Sequence, residues 1–183
     1  MTMRYLFFAY SLLVSIGNAH ADPFDADKVA KNLKPIINTH YPGHIILGPE
    51  ILDADVRDYF KKKHNGQTPG IACGVMRKTG NIDCGVLLVS DKDRSQGADY
   101  FIFIKNANTT RPSISRSERI ESKPKYPFTR IFVHLLPPGV IPDRETEIPV
   151  KMEFSGVEVV FFEESSIAYF WNKGKIRKVY TSD

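Results

Sequence analysis

The sequence predicts an α+β fold: two N-terminal helices, then a mainly antiparallel β-sheet in which one hairpin is stapled by a disulfide. Three observations carry that prediction. Apolar residues recur with helical spacing in stretches before residue 64 and follow strand-like patterns after residue 70. The later runs are joined by connections too short for the crossovers that parallel strands need. Two cysteines, Cys73 and Cys84, stand symmetrically about a polar turn.

Residues 1–21 read as a secretory leader and residues 22–183 as one domain. Arg4 supplies the positive start, residues 5–16 are free of charge, and Ala19 and Ala21 place small residues at the −3 and −1 positions of a cleavage site. The apolar part is shorter than the roughly 20 residues a membrane span requires, and no later segment approaches that length. The short leader looks bacterial, so the expected compartment is the periplasm or the medium. Removing Arg4 with the leader lowers the formal charge from +4 to +3, too weak a balance to predict nucleic-acid binding.

The first helix is expected within residues 22–40, where Val29, Leu33, Ile36 and Ile37 form an apolar stripe. Pro35 predicts that it kinks or ends just before that residue. A short apolar run follows at residues 44–47. Asp53 is a predicted N-cap for the second helix, with Val56, Tyr59 and Phe60 inward, Lys61, Lys62 and Lys63 in its last turn, and Asn65-Gly66 as its stop. Strands are expected from the apolar or alternating runs at 71–75, 84–89, 100–105, 130–136, 148–154, 157–162, 166–171 and 175–180. Residues 106–127, polar and proline-bearing, read as a long loop.

Export permits a disulfide, and Cys73 with Cys84 is the one intrachain pairing two cysteines allow. A turn centred on Lys78-Thr79 sets the two residues opposite each other, at a separation a disulfide bridges. Redox-active pairs sit in Cys-X-X-Cys at a helix start, and neither feature is present, so the pair is read as a staple. The same stretch resembles the hairpins of FG-GAP and VCBS-type repeats, in Gly74, Gly80 and Asp83 followed by Cys84-Gly85-Val86-Leu87-Leu88-Val89. In that family the loop oxygens bind calcium. This chain carries Val75, Arg77 and Thr79 where the acidic ligands would stand, so the resemblance implies the hairpin shape without the metal, and the disulfide in its place. On a longer scale, the order of LDADVRDYFKKKHNG, TPGIACG, the hairpin and YFWNKGKIRKVYTSD looks like small exported bacterial proteins of undefined function.

Nothing in the sequence assembles a local catalytic set or a cofactor motif: Gly-X-Ser-X-Gly, Ser-X-X-Lys, a phosphate-binding loop and His-Glu-X-X-His are all missing. His40 and His44 flank Tyr-Pro-Gly and share no helix face, and His134 alternates out of phase with apolar neighbours, onto the wetter side of its strand. Adjacent Glu163 and Glu164 point to opposite faces of a strand or lie solvated in a turn. Cations are concentrated instead. Arg111, Arg116, Arg119, Lys123 and Lys125 fall in the expected loop, and Lys173, Lys175 and Arg177 lie in the C-terminal hairpin.

The leading expectation is therefore a non-enzymatic exported binding protein, an immunity protein or inhibitor that neutralises an envelope toxin or hydrolase. These cations would be its contact surface, and the partner another envelope or secreted protein, with an anionic glycan or lipid head group as the other ligand class. The runner-up is a small envelope hydrolase using His40 or His44 with Asp83 or Glu153. A structural or adhesive module is the third reading. No cofactor or metal is expected in any of them.

Overall fold

A computed structural model describes residues 26–64, 67–120 and 130–182. The predicted leader at 1–21, the Asn65-Gly66 helix stop and the cations Lys123 and Lys125 lie outside the described residues.

Helix α1 (Ala26–His40) continues past Pro35 rather than ending before it. Val29, Leu33 and Ile37 are buried on both sides of the proline, while Pro35 itself is exposed. A mid-helix proline costs about 3 kcal/mol. Three buried aliphatic side chains stabilise by about 1.5–3 kcal/mol each, so packing outweighs the lost bond. Helix α2 (Ala54–Lys63) starts as predicted, the Asp53 carboxylate accepting from the Ala54 amide at 2.8 Å, and is capped at its end by His64. Val56 and Phe60 are buried, but Tyr59 lies in the open, 40% exposed.

The strands form two packed sheets rather than one. The first combines β1 (His44–Ile46), β2 (Ile71–Val75), β3 (Ile82–Ser90), β4 (Ala98–Lys105) and β5 (Ser113–Arg119) in the order β1-β3-β4-β5, with β2 also paired to β3. The second combines β6 (Ile131–Leu136), β9 (Gly156–Phe161), β10 (Ser165–Asn172) and β11 (Lys175–Ser182) in the order β11-β10-β9-β6. Between β6 and β9 an arm of two short strands, β7 (Gly139–Ile141) and β8 (Val150–Met152), pairs with itself, where one longer strand at 148–154 was expected. Every strand pairing among the described residues is antiparallel.

Three apolar layers hold these parts. Leu87, Phe101 and Phe103 meet Val133, Val157 and Tyr169 between the sheets. Val29, Leu33 and Ile37 of α1 cover Cys84, Val86, Ile102 and Ile104 on the outer face of the first sheet. The arm sets Val150 and Met152 over Ala168, Phe170 and Val179 on the outer face of the second. The sheets also join at their edges: the Val133 amide donates to the Pro69 carbonyl at 2.8 Å, and Arg116 reaches the Ile176 carbonyl from β5.

The largest departure from expectation is β5, which occupies part of the segment read as a loop. A register shift beside Phe103 lets Ile114 pack with the layer under α1 while Arg116 and Glu118 turn toward the second sheet. Polar residues thus alternate across an edge strand, a pattern with no apolar face to announce it.

Candidate functional site

The β2–β3 hairpin has the predicted register, Cys73 opposite Cys84 with their Cα atoms 4.1 Å apart and joined by the disulfide. Gly80 takes φ +75°, the left-handed value that closes the turn after Arg77. Both sulfurs face the α1 layer, whereas Asp83, next in the strand, faces the second sheet and is fully buried. Its carboxylate accepts from Arg77 Nε and Nη2 at 2.6 Å each, from the Asn106 amide at 3.0 Å, and from the Trp171 indole at 3.0 Å. The Arg77 guanidinium also lies 5.2 Å from the Trp171 ring centre and donates to the Asn106 side chain.

Asp83 thereby fixes three chain segments at one end of the sandwich: the hairpin tip, the β4–β5 connection and the end of β10. The connecting residues 76–81, 105–112 and 172–175 contain six cations and not one carboxylate. Arg77 is spent on Asp83. Lys78, Arg111, Lys173 and Lys175 are exposed, giving a basic pole on a rigid base.

The remaining cations of the predicted contact surface are placed elsewhere. Arg116 pairs with Glu118 and stacks over Tyr169, and Arg177 pairs with buried Asp143 at 3.2 Å. Arg119 is exposed further along β5. Glu118 also accepts from the Tyr169 hydroxyl at 2.7 Å and Lys178 at 3.2 Å. Burial opposes its charge, yet these donors hold its carboxyl below the usual range.

The histidines and acids of the hydrolase reading are dispersed. His40 is exposed at the end of α1 and Glu153 is exposed after β8. His44 meets Asp99, at 3.3 Å, among the rings of Tyr41 and Tyr100. Asp83 is saturated by the donors above.

A different constellation lies on the outer face of the second sheet, between α2 and the arm. Register sets His134 of β6 opposite Glu158 of β9, and Ser166 of β10, which stands opposite Val160, joins them diagonally with Thr181 and Ser182 of β11. His134 Nε2 stands 2.7 Å from one Glu158 oxygen, and Thr181 donates to the other at 2.5 Å. Ser166 Oγ lies 2.6 Å from Thr181 Oγ1 and 2.8 Å from Ser182 Oγ. His134 Nδ1 faces the Leu135 carbonyl at 3.3 Å, so the doubly protonated ring is the form that donates to both neighbours. Desolvation works against the Glu158 charge, but hydrogen bonds from His134, Thr181 and Ser166 draw its pKa below the ordinary value.

The row floors an open cleft of about 410 Å³ whose wall includes Tyr59, Phe132 and His64. The His64 ring stacks on His134 with centres 4.8 Å apart. Burial foremost, and then the neighbouring His134, lowers the His64 pKa from its ordinary value. Sequence reasoning marked His134 by its strand phase but missed its partners. The available signal was Glu158, which interrupts the apolar run GVEVV on the same outward phase.

No family model, curated protein or solved structure matches this chain. Among the described residues, no three His, Cys, Asp or Glu side chains are arranged to hold a metal ion, and no helix is long and apolar enough to cross a membrane.

Proposed function

We propose that this chain is a non-enzymatic exported binding protein that neutralises or inhibits another envelope protein through an acidic surface on that partner. The observation that carries the reading is the basic pole. Four exposed cations project from segments locked together by Asp83, Arg77, Asn106 and Trp171, so the ordering cost of their backbone is already met before a partner arrives. The disulfide agrees with an oxidising, exported setting. The likeness of the hairpin to FG-GAP and VCBS-type repeats belongs to the same proposal, the hairpin shape being kept without the metal and the disulfide standing in its place.

The test is a pull-down from envelope extract with the exported chain and with a triple variant, Arg111→Glu, Lys173→Glu and Lys175→Glu. Arg116 is left intact because its charge is already paired with Glu118. A protein retained by the first and lost from the second supports the reading. Equal capture by both removes the pole from consideration.

A hydrolase is the second reading, and the observation favouring it is the His134–Glu158 pair in the cleft rather than His40 or His44. It requires turnover that His134→Ala abolishes. Against it, both Glu158 oxygens and both His134 nitrogens are already engaged within the protein.

A further inference from the structure

His64 sits where α2 stops, and its ring is held almost wholly by other rings. Phe60 lies at 5.0 Å, Phe132 at 5.8 Å and His134 at 4.8 Å between centres. Its side chain lines the 410 Å³ cleft on one side and a second cavity of about 200 Å³, beneath α2, on the other. A side chain with open volume on both sides has room to move without displacing the core.

The other end of the helix has no such freedom. Asp53 and Asp55 both pair with Arg130 at 3.1 Å, and Leu52 and Val56 are buried. The open volume beside α2 therefore lies at its C-terminal turn.

We propose that His64 is a pH-sensitive latch, which at neutral pH closes the C-terminal turn of α2 onto the second sheet and in acid releases it to open the cleft.

Burial of the ring sets the direction first, and the charges around it second. From the second sheet, the His134 ring stacks on His64 and is itself held between Glu158 and the Leu135 carbonyl. From its own helix, Lys63 adds a cation next in sequence, after Lys61 and Lys62. Glu158 is the carboxylate facing the ring, and it is already shared by His134 and Thr181. Glu163 and Glu164 line the same cleft from the β9–β10 turn, and Glu163 is engaged by Arg130 at 2.9 Å. A proton added to His64 creates an imidazolium partly withdrawn from water, against the His134 ring.

The sign follows from the closed ring binding its proton less readily than the released ring. Closure is fully stabilised above the ordinary histidine value of 6.5 and is lost as pH falls below it toward the lowered value. Each pH unit between those two values weakens closure by up to about tenfold.

Amide hydrogen exchange on the full exported chain, corrected for intrinsic rates, tests the latch between about pH 7.5 and about pH 5, a window above the acid range of Glu158. Protection of the amides of residues 60–64 should fall over that window, by up to about tenfold for each pH unit between the two histidine values, while amides of β3 and β4 keep theirs. In His64→Phe, whose ring stacks at every pH, the same amides should stay level. Equal loss in the variant would move the titration to His134 and overturn the proposal, as would a level profile in the unaltered chain. Should His64→Phe fail to fold, His64→Gln gives the same reading, because a side chain that never charges cannot show a pH-dependent release.

Discussion

Replacing Asp83 by asparagine should be among the most damaging single changes this protein can suffer for so small a difference in shape. The carboxylate is fully buried and takes four hydrogen bonds, two of them from one guanidinium. An asparagine keeps the volume but turns an NH₂ group toward donors and leaves the Arg77 charge unmatched. Removing one partner of a buried pair costs about 3–5 kcal/mol. Because 20% of the Arg77 side chain still reaches solvent, the lower end, about 3 kcal/mol, is the better figure.

For a chain of this size such a loss corresponds to about 6–12 °C in melting temperature. The assay is built in, since Trp171 is the one tryptophan and its indole donates to Asp83. Urea unfolding followed by its fluorescence should show a lower midpoint with an unchanged slope. Replacing the pair together, Arg77→Met with Asp83→Leu, should recover part of the loss, because no charge is then stranded, although the Asn106 amide and the Trp171 indole lose their acceptor. A loss below about 1 kcal/mol in Asp83→Asn would mean the network is wet, and the rigidity ascribed to the basic pole would go with it.

Three further outcomes follow from the same contacts. Changing Cys73 and Cys84 together to alanine should destabilise by about 2–3 kcal/mol, as expected for releasing a short loop, and unfolding of the unaltered chain under reductant should show the same shift. Gly85→Ala would place a methyl carbon 2.6 Å from Val157 Cγ1 and 3.0 Å from Phe101, so it should cost about 1–3 kcal/mol by denaturant titration, and Val157→Ala should relieve part of that strain. Glu158→Gln should flatten the acid limb of the stability curve. The lowered Glu158 pKa contributes stability that is present above the ordinary carboxylate value and lost as pH falls through the native one, and a neutral amide has no such dependence.

What the sequence revealed was what local chemistry encodes. Asp53 is a cap because a short acceptor before a helix satisfies a free amide, and it is found doing so. The hairpin register followed from a glycine-bearing turn and two opposed cysteines. Pro35 misled because its cost is local and visible, whereas the burial of Leu33 and Ile37 that offsets it depends on a sheet far along the chain. Strand β5 was hidden because an edge strand that uses Ser, Arg and Glu has no alternation of hydrophobicity to read.

The two candidate sites differ in legibility for a related reason. The basic pole was half visible: the cations of the β4–β5 connection and the C-terminal hairpin stood out, but Lys78 joined them only because Asp83, the single acid in an apolar strand, draws Arg77 and Trp171 together. The polar row required the register of four strands at once. Residues 134, 158, 166 and 181 are unremarkable apart, yet each faces away from the inter-sheet core, beside the cleft that Tyr59 and His64 wall. A strand phase that places polar side chains outward is usually satisfied by water. Here the side chains satisfy one another, five in a chain from Ser182 to His134, and a ring from α2 closes over the end. A solvated surface has no need of such ordered bonding, so the organisation of this strip marks it as the place where a small change in protonation is felt by the fold.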